Sequence, residues 1–318
     1  MTYDNEEVHK PLHNKEDFLN DPELTSFPWL MSPFAEKLIE NDTTLTPEEK
    51  QMCLDFSRDG YVEVDLGLSA EFCEELIESL NTCPADSYFY NPQTVRYFEA
   101  WRHSRPVREV AAHTKILDAL RILYRRDPSP FQTINFITAS EQDVHSDTLH
   151  FHTTPSYWMA GVWTAFEPMD ENNGPLQYVR GSHKLPVTEF NVLNMKPPQY
   201  THTAGGEEQE KYDTYEEYVK ALIEASKLEV VKYIGPAGKA VIWQANVLHG
   251  GSPLLDKTRT RKSQATHYYF KDMPGPKENH KYYCPMYSNE PTGEYSLKKI
   301  EEKDILGLHQ KVDLGWSS

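Results

Sequence analysis

The sequence predicts an α+β protein that is mainly β, with an antiparallel sandwich or jelly roll braced by helices near the N-terminus. Helical patterns occupy roughly the first 125 of the 318 residues. Short runs of strand-forming residues, separated by turn signals, follow from Phe131 onward. Because no regular helices separate those runs, an antiparallel architecture is favoured over a parallel, doubly wound sheet.

Residues 1 to about 43 are polar and are expected to form an arm that packs onto the domain, and a helix start follows them. Thr46-Pro47-Glu48-Glu49 combines a threonine N-cap, a proline at the first helical position and a glutamate that completes a capping box. This pattern predicts a helix that runs to about Arg58. Ser69 caps a second helix with one apolar stripe, and a third helix is expected from Val107 to Tyr124.

The strand signals are alternating or continuous apolar runs bounded by turn residues. YVEVDLGLS alternates and predicts a half-buried strand between the first two helices. Further strands are expected in FQTINFIT, around HSD, and in YWMAGVWTAFEPM, LQYVRGSH, LEVVKYIG, KAVIWQANVLHGG and SQATHYYF. Residues 187–230 form a long irregular stretch with one helix, from about Asp213 to Lys227, and such stretches are typical of lids or binding loops.

These patterns predict a single domain over residues 1–318. Residues 1–125 would form the arm and helices, residues 126–272 the jelly-roll core with the lid-like insertion 187–230, and residues 273–318 a tail. The net charge of −17 argues against nucleic acid as a partner, since phosphate binding needs a basic surface. A small-molecule substrate is expected instead, while the oligomeric state has no sequence signal.

The compartment is predicted from the cysteines and from the apolar runs. The four cysteines show no C-x-x-C spacing, which favours free thiols in a reducing compartment. MTYDNEEVHK does not resemble a signal peptide, and no apolar run approaches the length that a membrane span needs. We therefore expect a cytoplasmic protein that does not cross a membrane.

The sequence HSD supplies two potential metal ligands. His145 and Asp147 stand at i and i+2, so on a strand both side chains project to the same face. One imidazole and one carboxylate are two-thirds of a two-histidine, one-carboxylate facial triad, which leaves open positions on a ferrous ion. The third candidate is His249, which shares strand parity with Trp243 and Val247 in AVIWQANVLHGG and can face the same interior.

A potential anchor for a dicarboxylate follows His249. Arg261 opens RKSQATHYYF, and a guanidinium there can hold a carboxylate bidentately, which a lysine does less well. Arg259, two residues earlier, is a competing arginine.

Several short motifs together resemble a known family. H-S-D, Trp163, N-N-G-P-L, G-S-H-K, H-G-G-S and R-K-S-x-x-x-H-Y occur in that order, and over about residues 50 to 272 they resemble the phytanoyl-CoA dioxygenase family. This family of Fe(II)- and 2-oxoglutarate-dependent oxygenases includes ectoine hydroxylase. The resemblance implies a double-stranded β-helix, a cupin-like jelly roll, that uses Fe(II), 2-oxoglutarate and O₂ and releases succinate and CO₂.

The resemblance also implies roles for residues at matching positions. His145, Asp147 and His249 correspond to the iron ligands, which makes them the catalytic residues. The R-K-S-x-x-x-H-Y register favours Arg261 over Arg259 for the distal carboxylate of 2-oxoglutarate. Further cosubstrate contacts are expected from Trp163, Ser252 and Gln132. H-G-G-S has one glycine more than the usual H-G-S, so either Gly251 or Ser252 takes the hydroxyl position.

Substrate-binding candidates come from the residues around these motifs. The segment LHFH offers a second histidine pair, as in a cupin-type site, but its parity is opposite to that of His145 and Asp147 on a regular strand. His150 and His152 are therefore candidates for the substrate pocket or a loop, with no role in the site as the alternative. Arg180 and Tyr157 are further pocket candidates, and Tyr157 can instead belong to the core. Trp158 and Tyr178 fit either the pocket or the core. A structural hydrogen bond is expected of His183 and a packed strand position of His267.

The expected reaction is hydroxylation of an unactivated C–H bond of a small molecule. Asp147 favours hydroxylation over halogenation, since related halogenases lack the carboxylate; desaturation remains open. The alternatives are a non-catalytic binding protein or pseudoenzyme that retains the fold, and a zinc hydrolase, for which no general base is evident. The loops 85–105, 148–158, 187–230 and 273–300, which would set specificity, do not dictate a compound, although a small polar metabolite fits the acidic surface better than an acyl-CoA.

Overall fold

The computed structural model describes residues 12–83, 96–196 and 207–285. Parts of the predicted arm, specificity loops, insertion and tail lie outside these residues. The helices are α1 (Lys15–Asn20), α2 (Ala35–Asn41), α3 (Pro47–Asp59), α4 (Ala70–Ser79), α5 (Arg105–Ala111), α6 (Thr114–Tyr124) and α7 (Glu207–Ser226). None of the described helices is long and apolar enough to cross a membrane.

Helix α3 begins and ends as its sequence predicts. The Thr46 hydroxyl accepts a hydrogen bond from the Glu49 amide, and the Glu49 carboxylate accepts one from the Thr46 amide. These two bonds are the reciprocal pair of a capping box, which satisfies amide groups that the first helical turn leaves without partners. Gly60 ends the helix in the left-handed region at φ 86°, a conformation that other residues adopt only under strain.

The single helix predicted from Val107 to Tyr124 is wrong: the chain forms α5 and α6 with a break at Ala112 and His113. The two apolar stripes face different partners. Val107 of α5 packs in a cluster with α4, whereas Leu120 of α6 packs in the cluster that contains α3. One straight helix could not direct its stripe toward both clusters.

The strands form three antiparallel sheets. They are β1 (Tyr61–Asp65), β2 (Arg96–Phe98), β3 (Pro128–Phe136), β4 (His152–Thr154), β5 (Met159–Ala165), β6 (Leu176–Val179), β7 (Val230–Lys232), β8 (Lys239–Gln244), β9 (His249–Gly251), β10 (Ser263–Phe270) and β11 (Lys281–Tyr283). The larger sheets have the orders β1-β8-β5-β10-β3-β2 and β7-β6-β9, and β4 pairs with β11. The described residues thus have the mixed α+β architecture, with antiparallel sheets, that the sequence predicts.

The six-stranded sheet has a buried core on each face. On one face, Val162, Ile242 and Tyr268 pack with residues of α3 and α6. On the other face, Trp163 and Trp243 pack with Leu176 and Tyr178 of the three-stranded sheet. The helices therefore brace one face, and the second sheet covers the other.

The run KAVIWQANVLHGG is two strands in two sheets, not one. Strand β8 belongs to the six-stranded sheet and β9 to the three-stranded sheet. Between them the side-chain amide of Asn246 donates hydrogen bonds to the carbonyls of His183 and Leu185. The predicted strand parity of His249 with Trp243 is consequently wrong, because the chain crosses from one sheet to the other between them.

Helix α7 is longer than predicted and begins at Glu207 rather than near Asp213. Its buried face includes Tyr215 and Val219. Tyr212 packs against the same cluster. The helix therefore packs on the segment that carries HSD.

Candidate active site

His145, Asp147 and His249, here called the metal triad, converge in the interior. One ligand atom from each lies within 4.8 Å of the others, and all three side chains are buried. The Asp147 Oδ1 atom lies 4.0 Å from His145 Nε2 and 3.6 Å from His249 Nε2. The fold therefore brings the distant His249 to the predicted ligand pair of HSD.

A backbone bridge between the two histidines holds the metal triad. The amide of each histidine donates to the carbonyl of the other, both at 2.9 Å. HSD does not form a regular strand, because Asp147 already begins a 3₁₀ turn. Ser146 is nevertheless extended (φ −105°, ψ 137°), which directs His145 and Asp147 to the same side as the sequence pattern requires.

Both imidazoles are oriented by backbone carbonyls. His145 Nδ1 donates to the Asp143 carbonyl at 2.9 Å, and His249 Nδ1 donates to the Val247 carbonyl at 3.0 Å. Each Nε2 thus carries the lone pair that can bind a metal ion, in the arrangement that fixes the tautomer of metal-binding histidines. Burial, reinforced by His249, lowers the pKa of His145 to about 3, so its imidazole is neutral at physiological pH.

Asp147 is held as a carboxylate. Its Oδ2 accepts a hydrogen bond from the indole Nε1 of Trp243 at 2.8 Å. Burial alone would raise the pKa of Asp147, but the neighbouring His249 and His267 outweigh burial and lower it. His267 Nε2 lies 3.9 Å from Oδ2, beyond hydrogen-bond distance.

Arg261 is a fully buried cation that has no carboxylate partner among the described residues. Its guanidinium lies over the rings of Phe136 and Trp163, at 5.0 and 5.9 Å from the ring centroids. It donates a long 3.4 Å hydrogen bond to the Ser140 hydroxyl, and within the described part of the chain its Nε is buried without a partner. Burial lowers the pKa of Arg261 to about 10, which still leaves it charged at neutral pH.

Arg259, the competing arginine, is at the surface. Its guanidinium forms a 2.6 Å ion pair with Asp170 and keeps a third of its side chain exposed. A buried charge without a counterion is the group that an anionic ligand would neutralise. The geometry therefore favours Arg261.

The other predicted cosubstrate residues also carry buried polar atoms that have no partner among the described residues. These atoms are Trp163 Nε1, Ser252 Oγ and Gln132 Oε1. Trp163 lies against Arg261, whereas Gln132 is in register with His267 at the metal triad. Gly251 can supply no hydroxyl, and a Cβ at that position would lie 2.7 Å from Ser140 Oγ. Of the two positions left open in H-G-G-S, Ser252 thus offers the buried hydroxyl.

Helix α7 contacts the segment that carries HSD. The Tyr215 hydroxyl accepts a 3.0 Å hydrogen bond from the Ser146 amide, between two of the ligands. Gln142 donates to the Tyr212 hydroxyl at 3.3 Å, and its amide nitrogen lies 3.5 Å from His145 Nε2. The helix therefore supports the loop that carries the ligands.

Of the predicted substrate residues, His150 borders the metal triad, whereas His152 and Tyr157 lie near each other. The ring of His150 lies 5.8 Å from that of His145 and 5.9 Å from that of Tyr212, at the edge of the metal triad. His152 lies on β4 and pairs with Glu189 at 2.7 Å. The Tyr157 ring is 6.4 Å from the His152 ring.

Arg180 is not brought to the metal triad. It is exposed, and its guanidinium pairs with Glu229 at 3.0 Å and donates to the Tyr61 hydroxyl. Trp158 belongs to the core, where its indole donates to the Ser26 carbonyl. His183 has the expected structural hydrogen bond to the Ser57 carbonyl, and burial lowers its pKa to about 4.

Four residues near the metal triad have no sequence signal that distinguishes them from core residues. Trp243, Tyr212 and Tyr215 stand at apolar positions of a strand and a helix, and His267 stands in a buried strand. Their polar atoms reach the site through contacts between distant segments. Only the tertiary structure could identify them.

The donor set suits a divalent iron ion and an organic acid. Two imidazoles and one carboxylate form the facial triad that binds Fe(II) and leaves coordination positions open. The buried Arg261 charge, with the Trp163 indole against it, suits the far carboxylate of a short dicarboxylic acid.

Comparisons with known proteins agree with this geometry. Solved structures of similar fold include the epimerase SnoN from nogalamycin biosynthesis in complex with Fe3+, alpha ketoglutarate and nogalamycin RO (TM-score 0.53, 16% identity, 70% of this chain and 84% of SnoN covered). EctD from S. alaskensis with 2-oxoglutarate and 5-hydroxyectoine has a TM-score of 0.51 and 17% identity over 81% of this chain and 88% of EctD. The carbocyclase SnoK, also from nogalamycin biosynthesis, has a TM-score of 0.51 and 18% identity over 76% and 90%. At such identities these likenesses show the fold.

Sequence comparison identifies the family. No curated protein is significantly similar to the chain in sequence. The sequence profile described as phytanoyl-CoA dioxygenase (PhyH) matches residues 56–261, which include the whole metal triad and Arg261. The chain therefore belongs to the phytanoyl-CoA dioxygenase family of Fe(II)- and 2-oxoglutarate-dependent oxygenases.

Proposed function

We propose that the protein hydroxylates an unactivated C–H bond of a small molecule. In the balanced reaction, substrate, 2-oxoglutarate and O₂ give hydroxylated substrate, succinate and CO₂. The observation that carries the proposal is the buried metal triad together with the buried charge of Arg261, which has no carboxylate partner in the described part of the chain. Iron bound there would supply the activation of O₂ and the oxidative decarboxylation of 2-oxoglutarate.

The roles of the residues follow from their positions. His145, Asp147 and His249 would hold the iron, with both imidazoles pre-oriented by the carbonyls of Asp143 and Val247. Because the ligands are already fixed, metal binding needs little reorganisation.

Arg261 would pair with the distal carboxylate of 2-oxoglutarate. Its planar guanidinium allows two parallel hydrogen bonds, and burial strengthens them by excluding water. The Ser252 hydroxyl and the Trp163 indole would contact the cosubstrate beside it, and Gln132 would contact it from β3. Each of these three side chains has a buried polar atom that such a contact would satisfy.

We also propose that the two larger sheets are the two halves of a jelly roll, a double-stranded β-helix. The cluster that joins Trp163 and Trp243 to Leu176 and Tyr178 supports this, since it fills the space between the sheets. The arm, core, insertion and tail would form a single domain, with α7 of the insertion 187–230 as the lid-like element. The substrate would enter beside His150 and Tyr212, which border the metal triad, with His152 on β4 and Tyr157 just after that strand.

The carboxylate of Asp147 supports hydroxylation rather than halogenation, because it occupies the position that a halide would need. Solved structures of similar fold nevertheless include an epimerase and a carbocyclase as well as a complex with 5-hydroxyectoine. The outcome is therefore to be read from the product. Hydroxylation adds one oxygen atom to the substrate, whereas desaturation, epimerisation and ring closure do not.

Succinate release from 2-oxoglutarate over a panel of small polar metabolites tests the proposal. The wild-type protein and the matched control Arg259→Ala should form succinate, while His145→Ala, Asp147→Ala and His249→Ala should not. Activity retained in one of the triad variants would remove that residue from the ligand set. Binding of Fe(II) and 2-oxoglutarate without succinate formation over a broad panel would favour the pseudoenzyme.

A further inference from the structure

Five residues form one row across the six-stranded sheet. Trp243 of β8 is in register with Tyr61 on one side and Gly161 on the other. Gly161 is in register with His267 of β10, which is in register with Gln132 of β3. Since residues in register on neighbouring strands share a face of the sheet, their side chains line the same side. Trp243 and His267 both approach Asp147, so this side faces the metal triad.

Gly161 leaves the space in which the Trp243 indole lies. A Cβ built on Gly161 would be 2.3 Å from Trp243 Cε2 and 2.6 Å from Nε1. The backbone of Gly161 does not have a positive φ, so its conformation does not require glycine. The reason for glycine is steric: any side chain would displace the indole ring.

The position of the indole determines which oxygen of Asp147 faces the other ligands. Trp243 Nε1 donates to Oδ2 at 2.8 Å, and the indole ring lies 4.5 Å from the His249 ring. Oδ1 is the oxygen that lies 3.6 and 4.0 Å from the two Nε2 atoms. The carboxylate thus directs one oxygen into the metal triad and the other to the indole.

We propose that Trp243 is a positioning residue that makes Asp147 a one-oxygen ligand, and that Gly161 is required because it admits the indole. The inference rests on the proposed function, since it concerns the same metal site. A carboxylate that bound through both oxygens would occupy a position needed by 2-oxoglutarate or O₂. Groups that orient metal ligands typically change metal affinity by about 10- to 100-fold when they are removed.

The test is Co(II) binding by calorimetry and visible absorption, without turnover. Trp243→Phe removes the N–H donor, and Gly161→Ala pushes the indole away from Asp147. Each should weaken Co(II) binding by about 10- to 100-fold and change the absorption spectrum at saturating Co(II). A merely structural role would lower thermal stability without changing the spectrum of the saturated site.

The double variant tests whether Gly161 acts through Trp243. Once the indole is absent, the methyl group added by Gly161→Ala has no donor to displace, so the double variant should bind Co(II) no more weakly than Trp243→Phe alone. Independent losses that add in the double variant would overturn the role of Gly161. Trp158→Phe is the matched control, because it removes another buried indole N–H bond of 2.8 Å, to the Ser26 carbonyl, outside the site. It should leave Co(II) affinity unchanged.

The outcomes separate the two proposals. Co(II) affinity and spectra that are the same in wild type, Trp243→Phe and Gly161→Ala would overturn the positioning role and leave the proposed function standing. A wild-type protein that bound neither Co(II) nor Fe(II) would overturn both. If Trp243→Phe did not fold, Gly161→Ala with retained thermal stability would decide the question by its spectrum.

Discussion

Replacing Arg261 should separate cosubstrate binding from stability. In Arg261→Met the chain keeps a side chain of similar length but loses the charge and all five N–H donors. The guanidinium is fully buried and has no carboxylate partner among the described residues. We therefore expect weaker 2-oxoglutarate binding without a loss of stability in the free protein.

The size of the effect follows from the burial of Arg261. Removing one partner of a buried, hydrogen-bonded charge pair costs about 2–5 kcal/mol of binding energy. At about 1.4 kcal/mol for each factor of ten, this corresponds to a roughly 30- to 4,000-fold weaker affinity. Arg261→Lys should fall between wild type and Arg261→Met, because lysine keeps the charge but not the bidentate geometry.

The free energy of unfolding should rise or stay the same in Arg261→Met, although the affinity for 2-oxoglutarate falls. Burial lowers the pKa of Arg261, which means that the folded protein disfavours this charge. Removing the charge relieves that penalty, and the weaker packing against Phe136 and Trp163 offsets part of the gain. The free energy of unfolding of Arg261→Met should therefore equal or exceed that of wild type.

Anaerobic calorimetry of 2-oxoglutarate binding in the presence of Fe(II) measures the affinity, and chemical denaturation measures the stability. Arg259→Ala is the matched control, since its exposed ion pair with Asp170 contributes little. Unchanged affinity in Arg261→Met, with a loss in Arg259→Ala, would assign the carboxylate to Arg259. Unchanged affinity in Arg261→Met together with a large loss of stability would make Arg261 a structural residue.

Two further predictions concern α7. Tyr215→Phe leaves the buried Ser146 amide without an acceptor, which should lower the free energy of unfolding by about 1–3 kcal/mol and weaken Fe(II) binding; equal denaturation midpoints and affinities would refute this. Burial and the neighbouring Asp143 raise the pKa of the Glu216 carboxyl to about 7 in the folded protein. The stability that protonated Glu216 contributes is therefore complete below the pKa that it has in the unfolded chain, and it is lost as pH rises through about 7. The melting temperature of Glu216→Gln should therefore rise relative to that of wild type as the pH increases from about 5 to about 8. A difference in melting temperature that stays constant over this range would contradict the raised pKa.

Local sequence signals predicted the elements that depend on residues close to one another in the chain. The capping box of Thr46 and Glu49 and the N-cap of Ser69 depend on neighbours within one turn, and both form as expected. The strands β3, β5 and β10 were recognisable as runs of strand-forming residues bounded by turn signals. The break between α5 and α6 had no such signal, because it depends on which core each stripe meets.

The metal triad was predictable in its members but not in its geometry. The extended backbone of Ser146 directs His145 and Asp147 to the same side, as their i, i+2 spacing predicts. His249 reaches the site for a different reason from the predicted one. Its apolar run looks continuous, but the chain leaves the six-stranded sheet after Gln244 and enters the other sheet at His249.

The surrounding residues were not predictable, because their roles depend on single polar atoms of side chains that otherwise pack in the core. Trp243 and Tyr215 have sequence contexts typical of buried aromatic residues. Their N–H and O–H groups contact Asp147 and Ser146 only because β8 and α7 meet the HSD loop. A sequence pattern identifies the aromatic face, not the atom that the fold directs into the site.

Anaerobic addition of 2-oxoglutarate to the Fe(II)-loaded protein tests the central claim most directly, namely that His145, Asp147 and His249 hold iron that also binds the keto acid. Chelation of the keto acid by the iron should produce a weak visible charge-transfer band in wild type and in Arg259→Ala. The band should be absent from His145→Ala, Asp147→Ala and His249→Ala. A wild-type protein that binds Fe(II) and 2-oxoglutarate but shows no band, or a band that persists in all three variants, would contradict the account.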